Sequence, residues 1–125
     1  PGRKFIFTNG TQDHAARVAS RLGIYDLFHD VFDIVSANYV PKPNAQIYPA
    51  MLAQFGIDAA RSAFFEDMAH NLPPARALGM TTILLRAPDT PEYGAPVAPE
   101  HIDHHAPDVK DILARILNHL GNATG

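Results

Sequence analysis

Short apolar runs alternate along this chain with stretches of helical periodicity, and that alternation constrains its fold more than any other feature. Lys4-Phe5-Ile6-Phe7-Thr8, Val31-Phe32-Asp33-Ile34-Val35, Arg61 to Glu66 and Met80 to Leu85 each read as a buried strand. Between them lie helical patterns. Ala15, Val18, Ala19 and Leu22 recur on one face, with Thr11 or Asp13 as cap and Gly23 as stop. Ala45 to Phe55 ends at Gly56, and a segment opening on Pro73-Pro74 runs to Leu78 and stops at Gly79. A proline-rich stretch over 86–100 reads as an irregular loop. His101 to His105 reads as a short edge strand, and Val109, Ile112, Leu113, Ile116 and Leu117 as a terminal amphipathic helix. Strands separated by helices form right-handed βαβ units, so the pattern predicts a Rossmann-like, three-layer α/β/α fold around a parallel sheet. At 125 residues it predicts one domain over 1–125.

In open α/β sheets, ligands bind outside the carboxyl ends of the strands. Three of the predicted strand ends carry chemistry. Thr8-Asn9-Gly10 closes the first strand with a hydroxyl, a carboxamide and a small residue, a turn able to present backbone N–H groups to an anion. Taken alone, it reads as a plain turn that caps the next helix. Lys42 stands between Pro41 and Pro43, which stiffen the backbone and limit where its ammonium can go. Such a lysine can neutralise a phosphoryl group, whereas an isolated one reads as an exposed loop residue. Glu66-Asp67 ends the third strand, and two adjacent carboxylates are costly without a cation between or beside them. Oxygen ligands without cysteine favour Mg²⁺ over zinc. Asn71 follows at helical distance and could orient a carboxylate or a metal-bound water, while helix capping by Asp67 is the plainer reading of that spacing.

The order and spacing of these motifs resemble the haloacid dehalogenase (HAD)-like hydrolase superfamily, over Phe5 to about Leu117. Phe7-Thr8-Asn9-Gly10, His14-Ala15, Leu22-Gly23-Ile24, Phe65-Glu66-Asp67, Asn71-Leu72 and Gly79-Met80 look most like its pyrimidine 5′-nucleotidase branch. The resemblance implies that Thr8 and the Asn9-Gly10 backbone hold phosphoryl oxygens and that Lys42 steadies nucleophile and phosphate. It implies that Asp67 binds Mg²⁺ with Glu66 nearby or acting through water. A small phosphorylated substrate, a nucleoside monophosphate by this likeness, is the implied partner.

The sequence also departs from the family. Members carry an Asp-x-Asp motif on a strand near the N-terminus, whose first aspartate attacks phosphorus, and none precedes Thr8 here. The helical cap that usually follows is missing as well. An aspartyl-phosphate mechanism needs a carboxylate in line with the leaving oxygen, and neither Glu66 nor Asp67 can be metal ligand and nucleophile together. The chain is therefore expected to be the C-terminal part of a HAD-like core, with its sheet incomplete at the N-terminal strand and inactive by itself. Its open strand edges would pair with each other, with a missing N-terminal segment or with a second copy, or stay exposed. Two other functions compete with the phosphatase. One is a non-catalytic phosphate-binding or regulatory domain. The other is a 2-haloacid dehalogenase, against which the crowded acids argue.

A net charge of −3 gives no electrostatic reason to expect nucleic acid. No apolar run approaches the ~20 residues of a membrane span. The absence of cysteine suits a reducing cytoplasm. His101, His104 and His105 beside Asp103 suggest a metal cluster, but a solvated edge strand explains them better. His14 and His70 lie near motif-bearing turns and could reach the site mouth, but they read first as surface helix residues, and Tyr25, Phe28 and Phe32 read as core.

Overall fold

The computed structural model describes residues 3–86, 98–108, 110–111 and 114. The predicted terminal helix and most of the proline-rich loop lie outside the described residues. The fold is α/β, with parallel strands and flanking helices as the alternation requires. The chain divides into two compact units, residues 1–56 and 57–125.

In the first unit, β1 (Phe5–Phe7) pairs in parallel with β2 (Asp30–Phe32), Ile6 opposite Val31. The crossover between them is α1 (Gln12–Arg21), which packs against β2. Thr11 is its cap, accepting the His14 N–H on Oγ1 at 3.2 Å, so the Asp13 alternative is set aside. The predicted second strand was too long. Its ladder stops at Phe32, because Asp33 turns its carboxylate onto Ser36 and Gln12 and the chain bends away. Helix α2 (Ile47–Phe55) ends at Gly56, whose φ of 64° gives the left-handed cap that a side chain would resist.

The core of this unit is aromatic. Phe5 stacks on Phe55 with centroids 4.4 Å apart, and Phe7 meets Phe32 and Tyr48 edge-on at 5.4 and 5.3 Å. Tyr48 and Phe32 are fully buried. Arg3 closes the end of α2, donating to the Phe55 and Gly56 carbonyls at 2.8 Å each. Tyr25, expected inside, is 37% exposed in a 3₁₀ turn over 25–27, because that turn lies on the surface beside α1.

In the second unit, β3 (Ala63–Glu66), β4 (Thr81–Leu85) and β5 (His104–Ala106) form a parallel sheet with β4 central. Glu66 lies opposite Leu84, and Leu84 opposite His105. Between β3 and β4, a 3₁₀ turn over 69–71 leads into α3 (Pro73–Ala77), followed by Gly79 at φ 96°. Leu72, Ala69 and Leu84 make one buried cluster, joined by Ile102. Ile83 and Ala106 make another, covered by Phe65 and Leu85. The predicted histidine strand is partly displaced: His101 ends a 3₁₀ turn and only His104–Ala106 pair with β4. β5 has no second neighbour in the described sheet, which is the edge position that the sequence suggested.

Candidate functional site

The first unit assembles its group of candidate residues around the end of β1. Thr8 extends the ladder, its N–H donating to the Phe32 carbonyl at 3.0 Å. Its Oγ1 accepts the Gly10 N–H at 3.0 Å, closing a tight hydroxyl-to-backbone turn. A Cβ added at Gly10 would meet that same Oγ1 at 3.4 Å and His14 Cδ2 at 3.5 Å, which are ordinary van der Waals contacts. The Gly10 donor expected to face an anion is therefore engaged with Thr8. Asn9 is exposed, and its carboxamide has a different task from the one its position suggested. Oδ1 accepts the Lys42 N–H at 2.8 Å and Nδ2 donates to the Lys42 carbonyl at 3.3 Å. This two-point amide pair fixes the lysine backbone against the turn after β1.

Lys42 is not the exposed loop lysine of the plain reading. Only 8% of it is accessible, its ammonium donates to the Phe7 carbonyl at 2.8 Å, and the same ammonium lies 4.8 Å from the Phe7 ring centroid. A buried cation needs such partners, since desolvation alone would expel it. The segment leading to it is bent by two successive left-handed residues, Asn38 at φ 54° and Tyr39 at φ 63°. Asparagine tolerates that region, while for tyrosine it costs roughly 1–2 kcal/mol. The turn is held by the Tyr39 N–H on the Ile34 carbonyl at 2.7 Å.

Asp33, which sequence reasoning placed inside a strand, is the buried acid of this unit, 6% exposed. It takes the Ser36 N–H at 2.8 Å and the Ser36 hydroxyl at 2.9 Å on Oδ1, and the Gln12 N–H at 2.9 Å on Oδ2. These donors, the Ser36 backbone foremost, hold its carboxyl below the usual carboxylate range against the opposing effect of burial. The signal that could have found it is an Asp-x-x-Ser pattern just after an apolar run, which favours a turn over a continued strand.

The second unit carries the acids, and it splits their roles. Glu66, at the end of β3, is 8% exposed, and its Oε1 accepts the N–H groups of Asp67 and Met68 at 3.2 Å each. It thus shapes the turn that presents its neighbour. Asp67 is exposed, and its carboxylate takes no hydrogen bond among the described residues. It does not cap the following turn, whose cap position is Met68. Asn71 is buried at the end of that turn, 2% exposed, and His70 beside it keeps Nδ1 buried and, among the described residues, without a hydrogen bond, so His70 is less superficial than expected. His14 is exposed on α1, as read from the sequence. Among the described residues no group of three or more His, Cys, Asp or Glu could hold a metal ion. Asp103 turns instead onto Thr82, accepting its N–H at 2.8 Å.

A family model for haloacid dehalogenase-like hydrolases matches residues 3–79, a span that includes Thr8, Asn9, Gly10, Lys42, Glu66, Asp67 and Asn71. The chain belongs to the haloacid dehalogenase-like hydrolase family. Bifunctional epoxide hydrolase 2 of Sus scrofa is 34% identical over 88 residues, covering 68% of this chain and 16% of that protein. The L-2-haloacid dehalogenase of Xanthobacter autotrophicus, solved with chloropropionic acid covalently bound, superposes with a TM-score of 0.73 at 19% identity. That match covers 94% of this HAD-like chain and 56% of the dehalogenase. A HAD-hydrolase of Bacillus subtilis bound to magnesium gives 0.72 at 19% identity, over 93% of this chain and 49% of that one. A HAD phosphatase of Thermococcus onnurineus gives 0.70 at 19% identity, over 92% and 50%. These solved structures share the fold, and this chain spans about half the length of each. No helix among the described residues is long and apolar enough to cross a membrane.

Proposed function

We propose that this chain carries the phosphate-holding and metal-binding parts of a Mg²⁺-dependent phosphomonoester hydrolase. The substrate would be small and phosphorylated, with a nucleoside monophosphate as first choice from the nucleotidase-like motifs. The observation that carries this reading is the division of labour at Glu66-Asp67. A buried acid spends its oxygen on two backbone N–H groups, while the next acid stands exposed with its carboxylate unengaged among the described residues. Mg²⁺ keeps several waters and needs only one or two protein carboxylates, so an oxygen-only donor set of this size fits it. Asp67 would hold the ion, with Glu66 and Asn71 acting through water. When bound, the ion would neutralise charge developing on the phosphoryl oxygens. In the first unit, Thr8 and the Asn9-Gly10 backbone would receive the phosphoryl group, the Gly10 N–H turning from Thr8 Oγ1 to the phosphate, and Lys42 would supply a fixed positive charge.

The reaction also needs an in-line carboxylate nucleophile, a role that none of these residues is free to take. It would come from another segment or a second copy, so this chain alone binds without turning over. A dehalogenase reading shares the fold but gives an exposed metal-ready aspartate nothing to do.

The test is an NMR titration of the ¹⁵N-labelled chain. Mg²⁺ is expected to shift the Asp67 and Met68 amide signals, an effect lost in Asp67→Asn. Inorganic phosphate is expected to shift those of Thr8, Asn9 and Gly10. p-Nitrophenyl phosphate with Mg²⁺ should stay at background. A Mg²⁺ response that is absent, or that survives in Asp67→Asn, overturns the metal assignment.

A further inference from the structure

The segment from Thr8 to Gln12 is gripped at three points by Phe32, the last residue of β2, and the two residues after it. The Phe32 carbonyl takes the Thr8 N–H at 3.0 Å, and the Ile34 N–H donates to the Gly10 carbonyl at 3.0 Å. Between these two, Asp33 Oδ2 takes the Gln12 N–H at 2.9 Å, at the first turn of α1. The first two grips are backbone to backbone. The third is a side chain, so it is the one that a substitution can remove while the ladder remains.

We propose that Asp33 is a positioning residue for the phosphate-holding turn, fixing its exit into α1. This proposal rests on the phosphate assignment made above. The two oxygens of Asp33 have separate duties. Oδ2 faces the turn and helix, whereas Oδ1 faces Ser36, receiving its N–H at 2.8 Å and its hydroxyl at 2.9 Å. At 6% exposure water has little access to replace either contact. Loss of Oδ2 leaves the turn tethered at Phe32 and Ile34 but loose on its α1 side. The turn, whose Gly10 N–H is held by Thr8 Oγ1 until a phosphate takes it over, would then have to be ordered by the phosphate itself, and that ordering weakens binding. Ser36 touches only the far side of the carboxylate, so its hydroxyl can be removed without loosening the turn.

The split between the two oxygens supplies the test. Inorganic phosphate is titrated against the whole chain, following the Thr8, Asn9 and Gly10 amide signals, at a temperature where thermal melts show each variant folded. Asp33→Ala is expected to weaken phosphate binding about ten-fold, the loss typical of one charge-assisted hydrogen bond. Ser36→Ala is expected to lower stability and leave phosphate affinity unchanged. Should Asp33→Ala fail to fold, Asp33→Asn keeps one acceptor oxygen and is expected to give an intermediate weakening. Unchanged affinity in the Asp33 variants overturns the proposal. So does equal weakening in Ser36→Ala, which would reduce Asp33 to a plain stabiliser of the fold. If the unsubstituted chain shows no phosphate response, the phosphate assignment itself fails and the proposal goes with it. The wild-type titration tells that failure from the others.

Discussion

Asp103→Ala should remove about 1–4 kcal/mol of folding stability. Thr82, in the central strand β4, is fully buried. Its N–H has Asp103 Oδ2 as acceptor at 2.8 Å. Alanine leaves that donor without a partner and without water, a loss of about 1–3 kcal/mol. The Thr82 hydroxyl softens the blow, because it keeps the His101 carbonyl at 2.7 Å. The Arg76 guanidinium, 3.4 Å from Oδ1, adds only about 0–1 kcal/mol, since its side chain is 43% exposed and water screens the pair. Asp103→Asn retains an acceptor for the Thr82 N–H and should cost about 1 kcal/mol, and Arg76→Ala no more than that. Urea unfolding followed by circular dichroism measures all three, and the alanine variant should melt roughly 5–15 °C below the parent. An Asp103→Ala protein within ~0.5 kcal/mol of the parent would refute the buried-donor argument. Equal losses in Asp103→Ala and Arg76→Ala would shift the weight to the ion pair and refute it too.

Two further outcomes follow from the first unit. Asn9→Ala deletes both hydrogen bonds to the Lys42 backbone, of 2.8 and 3.3 Å, and should cost about 1–2 kcal/mol because the pair is partly exposed. Hydrogen exchange at the Lys42 amide should accelerate in the same variant, and unchanged protection would show that Asn9 does not hold the lysine. For pH, the folded Asp33 carboxyl titrates below its ordinary 3.8, so its contribution is present above that value and is lost as pH falls through the folded pKa. Urea midpoints from pH 7 down to about pH 2.5 should therefore fall less steeply in Asp33→Asn than in the parent, and parallel curves would sink the linkage.

How much of this was legible beforehand varies residue by residue. Strand and helix periodicity located β1, β3, β4, α1 and α2 to within a few residues, because apolar spacing reports burial directly. Gly56 marked a helix end correctly, because the left-handed φ of its cap is a property of the glycine itself. The second strand was overextended because Ile34 and Val35 look like strand residues, although the Asp33 carboxylate offers the backbone a better arrangement as a turn. In the site, the acids at the end of β3 could be found from sequence, but not their division into a buried turn-holder and an exposed candidate ligand. Both oxygens of Glu66 look equally available on paper, and burial decides which acid is spent.

The sequence by itself determined the α/β class, the family, and the order of Thr8, Lys42 and Glu66-Asp67 along the chain. Those follow from residue types and spacing along one dimension. Only the tertiary structure decided what each side chain does. Asn9 serves Lys42, Lys42 is buried against Phe7, Asp33 ties β2 to α1, and Asp103 answers a buried donor on β4. A hydrogen bond links groups that can be tens of residues apart in the chain, and its worth depends on whether water can compete for them. Neither the partner nor the exclusion of water can be read from spacing.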